Sequence, residues 1–163
     1  MADAHRDYFN QKAPIWDNLS TGETLEGLKK IIDELAIRPG SFILDVGTGT
    51  GVLLPFLVEA AGPEGKVVAL DIAEEMLARA RAKNPGNVEF VLADISCTPF
   101  QEDTFDEIIC NSCFPHVTDK PRALAENGPH FKAWREAGHL PFHEQGGSKR
   151  FAPVVRGGWS PTI

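Results

Sequence analysis

Hydrophobic and polar positions follow two periods along this chain. From Glu23 to Ala36, residues Leu25, Leu28, Ile31, Ile32 and Leu35 fall on one stripe, with Glu26, Lys29, Lys30 and Asp33 opposite. That spacing predicts an amphipathic helix, which Pro39-Gly40 stops. Short apolar runs at 42–44, 66–70, 88–92 and 107–111 are bounded by turn residues and predict buried strands. Between them, 52–61 (VLLPFLVEAA) and 73–83 (AEEMLARARAK) read as helices, the first with Pro55 in its opening turn, where a missing N–H does no harm. Alternating strands and helices predict a doubly wound α/β domain with a parallel sheet of order 3-2-1-4.

Bulk properties narrow the field of functions. A chain of 163 residues with 42% hydrophobic and 9% aromatic content supports one domain with a real core. No apolar run approaches the roughly 20 residues of a membrane span, and the acidic start MADAHRD is no secretory signal, so a cytoplasmic protein is expected. A net charge of −7 argues against a nucleic-acid partner, because such binding relies on Lys and Arg neutralising phosphates. Cys97, Cys110 and Cys113 make no disulfide framework. The Cys110-x-x-Cys113 pair ends a strand and lacks further metal ligands at suitable spacing, so two packed thiols and no metal are expected.

The chemistry concentrates in FILDVGTGTG at 42–51. A glycine-rich turn from strand to helix lets a ligand approach the backbone closely. Dinucleotide sites of the form G-x-G-x-x-G need a third small residue for helix packing, and Val52 stands there. Asp45, two residues before the first glycine, would also repel a pyrophosphate by roughly a few kcal/mol in a partly dry crevice. The same acid suits a cation, and S-adenosylmethionine carries both a sulfonium and an ammonium. A nicotinamide-nucleotide-binding protein is the competing reading.

Four stretches complete the pattern: YFNQKAPIWD at 8–17, LDVGTGTG at 44–51, ALDIAEEML at 69–77 and PFQEDTFDEIICNS at 99–112. With these, residues 8–126 resemble the class I S-adenosylmethionine-dependent methyltransferases, similar to the ubiquinone/menaquinone C-methyltransferase branch. The resemblance implies a Rossmann-like sheet of that type and a cofactor site made by Asp45, Val46, Gly47, Gly49, Gly51, Asp71, Ile72, Asp94, Ile95 and Asn111. Within it, Asp71 would hold the ribose diol, with an N-cap for the next helix as the other reading. Asp94 would take the adenine amino group, and Ile72 and Ile95 would pack on the base. Residues 8–17 either cover the cofactor or simply pack on the domain edge. The loop 111–116 lies where the family sets methyl donor beside acceptor, a small, planar or quinone-like molecule. His116 there is a candidate general base, or a solvated loop histidine.

The pattern stops after Glu126. Residues 127–163 hold four aliphatic side chains against six glycines and four prolines, and the balance turns from −10 over 1–126 to +3. His139 and His143 have metal-like spacing, but Pro141 argues against the helix that would align them. With allowed codons, the back-translated tail read one nucleotide later can become the helix end, glycine turn and strand of the family, and the Trp134-Arg135 junction forces one of those glycines. The expectation is therefore a core at 1–126, a frameshifted and poorly ordered tail, and a sheet incomplete on its C-terminal side. Such a chain would be an active enzyme or a catalytically dead cofactor-binding fragment, prone to self-association along strand four. Sequencing the gene across codons 120–135 is expected to expose an inserted or deleted base, and an intact frame would overturn the shift.

Overall fold

Four parallel strands in the order β3-β2-β1-β4 organise the computed structural model, which describes residues 2–83, 86–101, 104–111, 113 and 116–126. The tail at 127–163, with its expected frameshift and poor order, lies outside the described residues. The elements run α1 (Ala2–Trp16), a 3-10 turn (Asp17–Leu19), α2 (Gly22–Leu35), β1 (Phe42–Val46), α3 (Leu54–Ala61), β2 (Lys66–Asp71), α4 (Glu74–Lys83), β3 (Val88–Leu92), β4 (Glu107–Cys110) and α5 (Lys120–Glu126). Among the described residues, no helix is long and apolar enough to cross a membrane.

Alternation along β1 sends its side chains to opposite faces, so the sheet carries two cores. Ile43 packs with Leu28 and Ile32 of α2, Leu54 and Leu57 of α3, and Val67. Leu44 and Val46 pack on the other side with Val68, Leu70, Ile108, Phe105 and Ala123 of α5. Ile43, Leu44, Leu54 and Leu57 are wholly buried, each worth about 1.5–3 kcal/mol. Helices therefore cover both faces, as the alternating pattern predicts.

Register is set by backbone pairs and by one carboxylate. Phe42 aligns with Lys66 of β2, and Ile43 with Glu107 of β4. Just before β4, Asp106 closes a reciprocal clamp: its amide donates to Phe42 O, and Phe42 N donates to its Oδ2, both at 2.8 Å. β4 forms one edge of the sheet among the described residues, the position from which self-association is expected.

Several boundaries differ from expectation. The α3 helix starts at Leu54 rather than near Val52, because Gly51 N donates to Thr48 O and Leu54 N to Gly51 O, extending the turn. β4 ends at Cys110, leaving Asn111 outside the strand. In α2 only Leu28 and Ile32 are buried, whereas Leu25 in the first turn stays exposed. Cys110 and Cys113 are not two packed thiols but a disulfide. His116 N donates to Cys113 O, and the tight turn after β4 brings the two Cα atoms to 5.9 Å, inside bridging range.

Gly65, at the entry to β2, is closely enclosed by backbone. A Cβ there would stand 2.5 Å from Ala61 O and 2.8 Å from Ser41 O, and neither backbone can yield cheaply. Gly22, at the start of α2, faces open space. Gly65→Ala is expected to lower unfolding free energy by more than about 2 kcal/mol in urea melts. Gly22→Ala should leave it unchanged or raise it by up to about 1 kcal/mol, and equal effects would refute this packing account.

Candidate functional site

Parallel strands present their carboxyl ends on one side, and the chain reverses direction in the sheet between β1 and β4, so a crevice opens there. It has a volume of about 530 Å³, within the roughly 300–1,000 Å³ of cofactor sites. The loop 47–51 builds its floor. Gly47 and Gly49 take positive φ, +66° and +56°, which other residues rarely adopt. A Cβ on Gly47 would stand 2.4 Å from the Cβ of Cys113, so the turn after β4 rests directly on this glycine.

Of the residues singled out in the sequence, Asp45, Val46, Gly47, Gly49, Asp71, Ile72, Asp94, Ile95 and Asn111 all line this crevice. Gly51 does not, because its amide is turned to Thr48 O; its φ of +79° shapes the loop instead. His116 lines the mouth.

Asp45 is 2% exposed at the tip of β1. Its Oδ2 and the hydroxyl of Thr48 are buried without a hydrogen-bond partner of good geometry among the described residues. Burial first, and then the negative charge of Asp71, push the Asp45 carboxyl up to about 7, against the opposing dipole of the nearby Thr48 hydroxyl. A buried polar atom left unpaired in this way marks a place that a ligand would satisfy.

Asp71, at the tip of β2, is pinned by the backbone. Its Oδ2 accepts from Gly49 N at 2.8 Å and its Oδ1 from Ala73 N at 2.9 Å. Burial raises its pKa, while the amides of Ala73, Gly49 and Ile72 pull the other way. The two readings of Asp71 are thus compatible: it turns the chain into α4, and each oxygen keeps a lone pair. Asp94, beyond β3, accepts from both the amide and the hydroxyl of Ser96 through Oδ1.

The N-terminal segment covers the crevice rather than packing elsewhere on the domain. Phe9, Trp16 and His5 of α1 all line it. Phe9 meets Trp16 edge-to-face at 5.6 Å, and both pack on the buried Ala13, Ala73 and Met76. Asn10 Oδ1 accepts from Glu75 N at 3.0 Å, satisfying an amide in the first turn of α4. Asp17 accepts from Lys83 Nζ at 2.8 Å and from the Thr50 hydroxyl. Burial raises its pKa, but those two bonds and the Lys83 charge outweigh it, so the net shift is downward.

Sequence reasoning missed His5 and Thr24 as crevice residues, whereas Thr48 and Cys113 lie in the loops 44–51 and 111–116 that it had singled out. His5 precedes the aromatic stretch by one helical turn, a signal that could have found it. Thr24 lies in α2, and nothing in its surroundings along the chain marks it. Among the described residues no cluster of His, Cys, Asp or Glu could hold a metal ion.

A family profile described as a methyltransferase domain matches residues 43–132. The chain is 41% identical over 103 residues to the ubiquinone/menaquinone biosynthesis C-methyltransferase UbiE of Teredinibacter turnerae, covering 60% of this chain and 41% of that one. Its counterpart from Vibrio parahaemolyticus is 42% identical over 98 residues, covering 57% and 38%. The chain thus spans about two fifths of the length of these curated relatives. Among solved structures, a SAM dependent methyltransferase from Aquifex aeolicus superposes with a TM-score of 0.62 at 32% identity, covering 68% of this chain and 62% of that one. With the strand order, the glycine loop and the acid at the tip of β1, these matches establish that the chain belongs to the class I S-adenosylmethionine-dependent methyltransferase family.

Proposed function

We propose that this crevice holds S-adenosylmethionine and that the chain directs its methyl group to a small, planar acceptor. The observation that carries the reading is Asp45: a buried carboxyl with an unpaired oxygen, at the base of a glycine-lined hollow. Such a group gains from a cation and loses from a pyrophosphate, which disfavours the nicotinamide alternative.

Each role follows from the donors and acceptors present. Asp45, when ionised, supplies the negative charge that favours the cofactor's cationic end. Asp71 offers its remaining lone pairs to the ribose hydroxyls, each such bond worth about 1.5–3 kcal/mol when charge-assisted. Asp94, whose Oδ1 is occupied by Ser96, offers Oδ2 to the adenine amino group. Ile72 and Ile95 supply apolar walls for the base, and Asn111 frames the end of the hollow beside β4. Phe9 and Trp16 of the covering helix exclude water, which strengthens every charge interaction inside. The cofactor, when bound, supplies an electrophilic methyl group on a sulfonium. Holding donor and acceptor in line is the main service the protein then has to provide.

Two linked pH effects test the role of Asp45. Its folded pKa, about 7, lies above the ordinary 3.8, so its contribution to stability is complete below about pH 4 and is lost as pH rises to 7. Without ligand the protein should therefore melt at lower temperature at pH 8 than at pH 5. Asp45→Asn should flatten most of that slope, and the raised pKa of Asp71 should leave a smaller one of the same sign. Affinity for S-adenosylmethionine runs the opposite way, rising as Asp45 ionises. Calorimetry should show tighter binding at pH 8 than at pH 6, and Asp45→Asn should weaken binding at pH 8 by about tenfold or more. Affinity indifferent to both pH and the substitution would sink the electrostatic reading, and heat protection by NAD alone would replace the ligand.

A further inference from the structure

One covalent link has no part in the roles assigned above. The bridge between Cys110 and Cys113 joins the last residue of β4 to the turn that follows it. Cys110 is buried and packs with Leu44, Val46 and Ile108 in the core on that face of the sheet. Cys113 lines the crevice. The two ends of the bridge therefore differ in access, with Cys113 on the side that a molecule in the crevice would meet.

The link also sits against the glycine loop. Cys110 is the register partner of Val46, the residue before Gly47. Cys113 occupies the space that a side chain on Gly47 would fill, its Sγ 3.3 Å from the place of that Cβ. The amides of Gly47 and Thr48 donate to Leu70 O, that of Gly49 to Asp71 Oδ2 and that of Gly51 to Thr48 O. A change at the bridge thus reaches this hydrogen-bonded loop by direct contact.

We propose that Cys110 and Cys113 form a redox modification site, opened by low-molecular-mass thiols, whose closed form fastens the glycine loop for the cofactor and whose open form releases it. The link to cofactor binding rests on the S-adenosylmethionine reading above; the thiol chemistry and its effect on the loop do not. Bridges reachable from a cleft exchange with free thiols more readily than those sealed in a core, and attack falls on the sulfur that can be reached. The thiolate of a monothiol such as glutathione attacks Cys113 Sγ and forms a mixed disulfide. The bond between the two cysteines breaks, its electron pair stays on Cys110 Sγ, and that sulfur takes a proton from solvent. A second thiolate attacks the glutathione sulfur of the mixed disulfide, Cys113 leaves as a thiolate and is protonated, and oxidised glutathione departs. Two thiols are oxidised and one protein disulfide is reduced. No covalent bond then ties Cys113 to the end of β4, and the turn can withdraw from Gly47.

The full chain carrying Cys97→Ser, which removes the exposed free thiol beyond β3, tests each step. After reduction with dithiothreitol and a short pulse of iodoacetamide, peptide mapping is expected to show Cys113 alkylated about tenfold faster than Cys110. Reduction should speed hydrogen exchange at the amides of 47–51 by about fivefold or more while leaving those of Val67 and Val68 in β2 unchanged. Affinity for S-adenosylhomocysteine by calorimetry should fall by about fivefold on reduction and return on treatment with oxidised glutathione. In Cys110→Ser, which cannot close the bridge, neither reagent should alter exchange or affinity. Exchange at 47–51 that follows the redox state without any binding of S-adenosylhomocysteine supports the modification site and counts against the cofactor reading alone. Exchange indifferent to reduction, or raised evenly across the sheet, overturns the coupling to the loop. Cysteines that both stay open to iodoacetamide in oxidised glutathione overturn the site itself.

Discussion

Asp45 combines burial at the tip of β1 with a carboxylate oxygen that meets no donor of good geometry among the described residues. Keeping such a group ionised without compensation costs several kcal/mol in practice. The fold limits the cost by letting the carboxyl keep its proton up to about pH 7. A cation entering the hollow lowers the free energy of the ionised form and displaces that proton. In the proposed reading, selectivity for a positively charged ligand comes from one buried group, and the surrounding loop has only to stay open enough to admit it.

Asp71 keeps it open. By accepting from Gly49 and Ala73 it joins the glycine loop to the start of α4, so that one carboxylate sets the curvature of both. Gly47 completes the arrangement from the other side: its amide donates to Leu70 O at 2.8 Å, and its missing side chain admits the turn that carries Cys113. The β1 and β2 sides of the crevice are consequently tied together through the amides of the glycine loop, and the turn after β4 packs against Gly47. Preorganisation of this kind reduces the ordering cost of binding.

The parts legible in the sequence were those governed by local rules. Apolar runs bounded by turn residues located the four strands among the described residues to within two residues, and the glycine spacing located the crevice floor. Acids at strand tips gave Asp45, Asp71 and Asp94 because a parallel sheet must present its carboxyl ends together. What depended on distant contacts was less visible. Gly51 resembles its neighbours in sequence, yet its amide points to Thr48, and only the three-dimensional turn decides that. The bridge between Cys110 and Cys113 follows from a turn whose shape composition does not announce. His5 reaches the mouth only because α1 docks across α4, an arrangement set by tertiary packing.

That docking raises the question of what holds α1 over the crevice. The Asp17–Lys83 ion pair is the conspicuous link, but its side chains are 46% and 41% exposed, and pairs of that kind contribute at most about 1 kcal/mol. The apolar cluster beneath it is different. Ala13, Ala73 and Met76 are each no more than 1% exposed, and burial of Met76 alone is worth about 1.5–3 kcal/mol before Phe9 and Trp16 are counted. The cover is therefore held by apolar contact, with Asp17 fixing its orientation through Thr50 of the glycine loop. Since α1 carries His5 and Phe9 one helical turn apart, both side chains reach the crevice from the same element. Its register on α4, set where Asn10 meets the amide of Glu75, decides whether His5 faces His116.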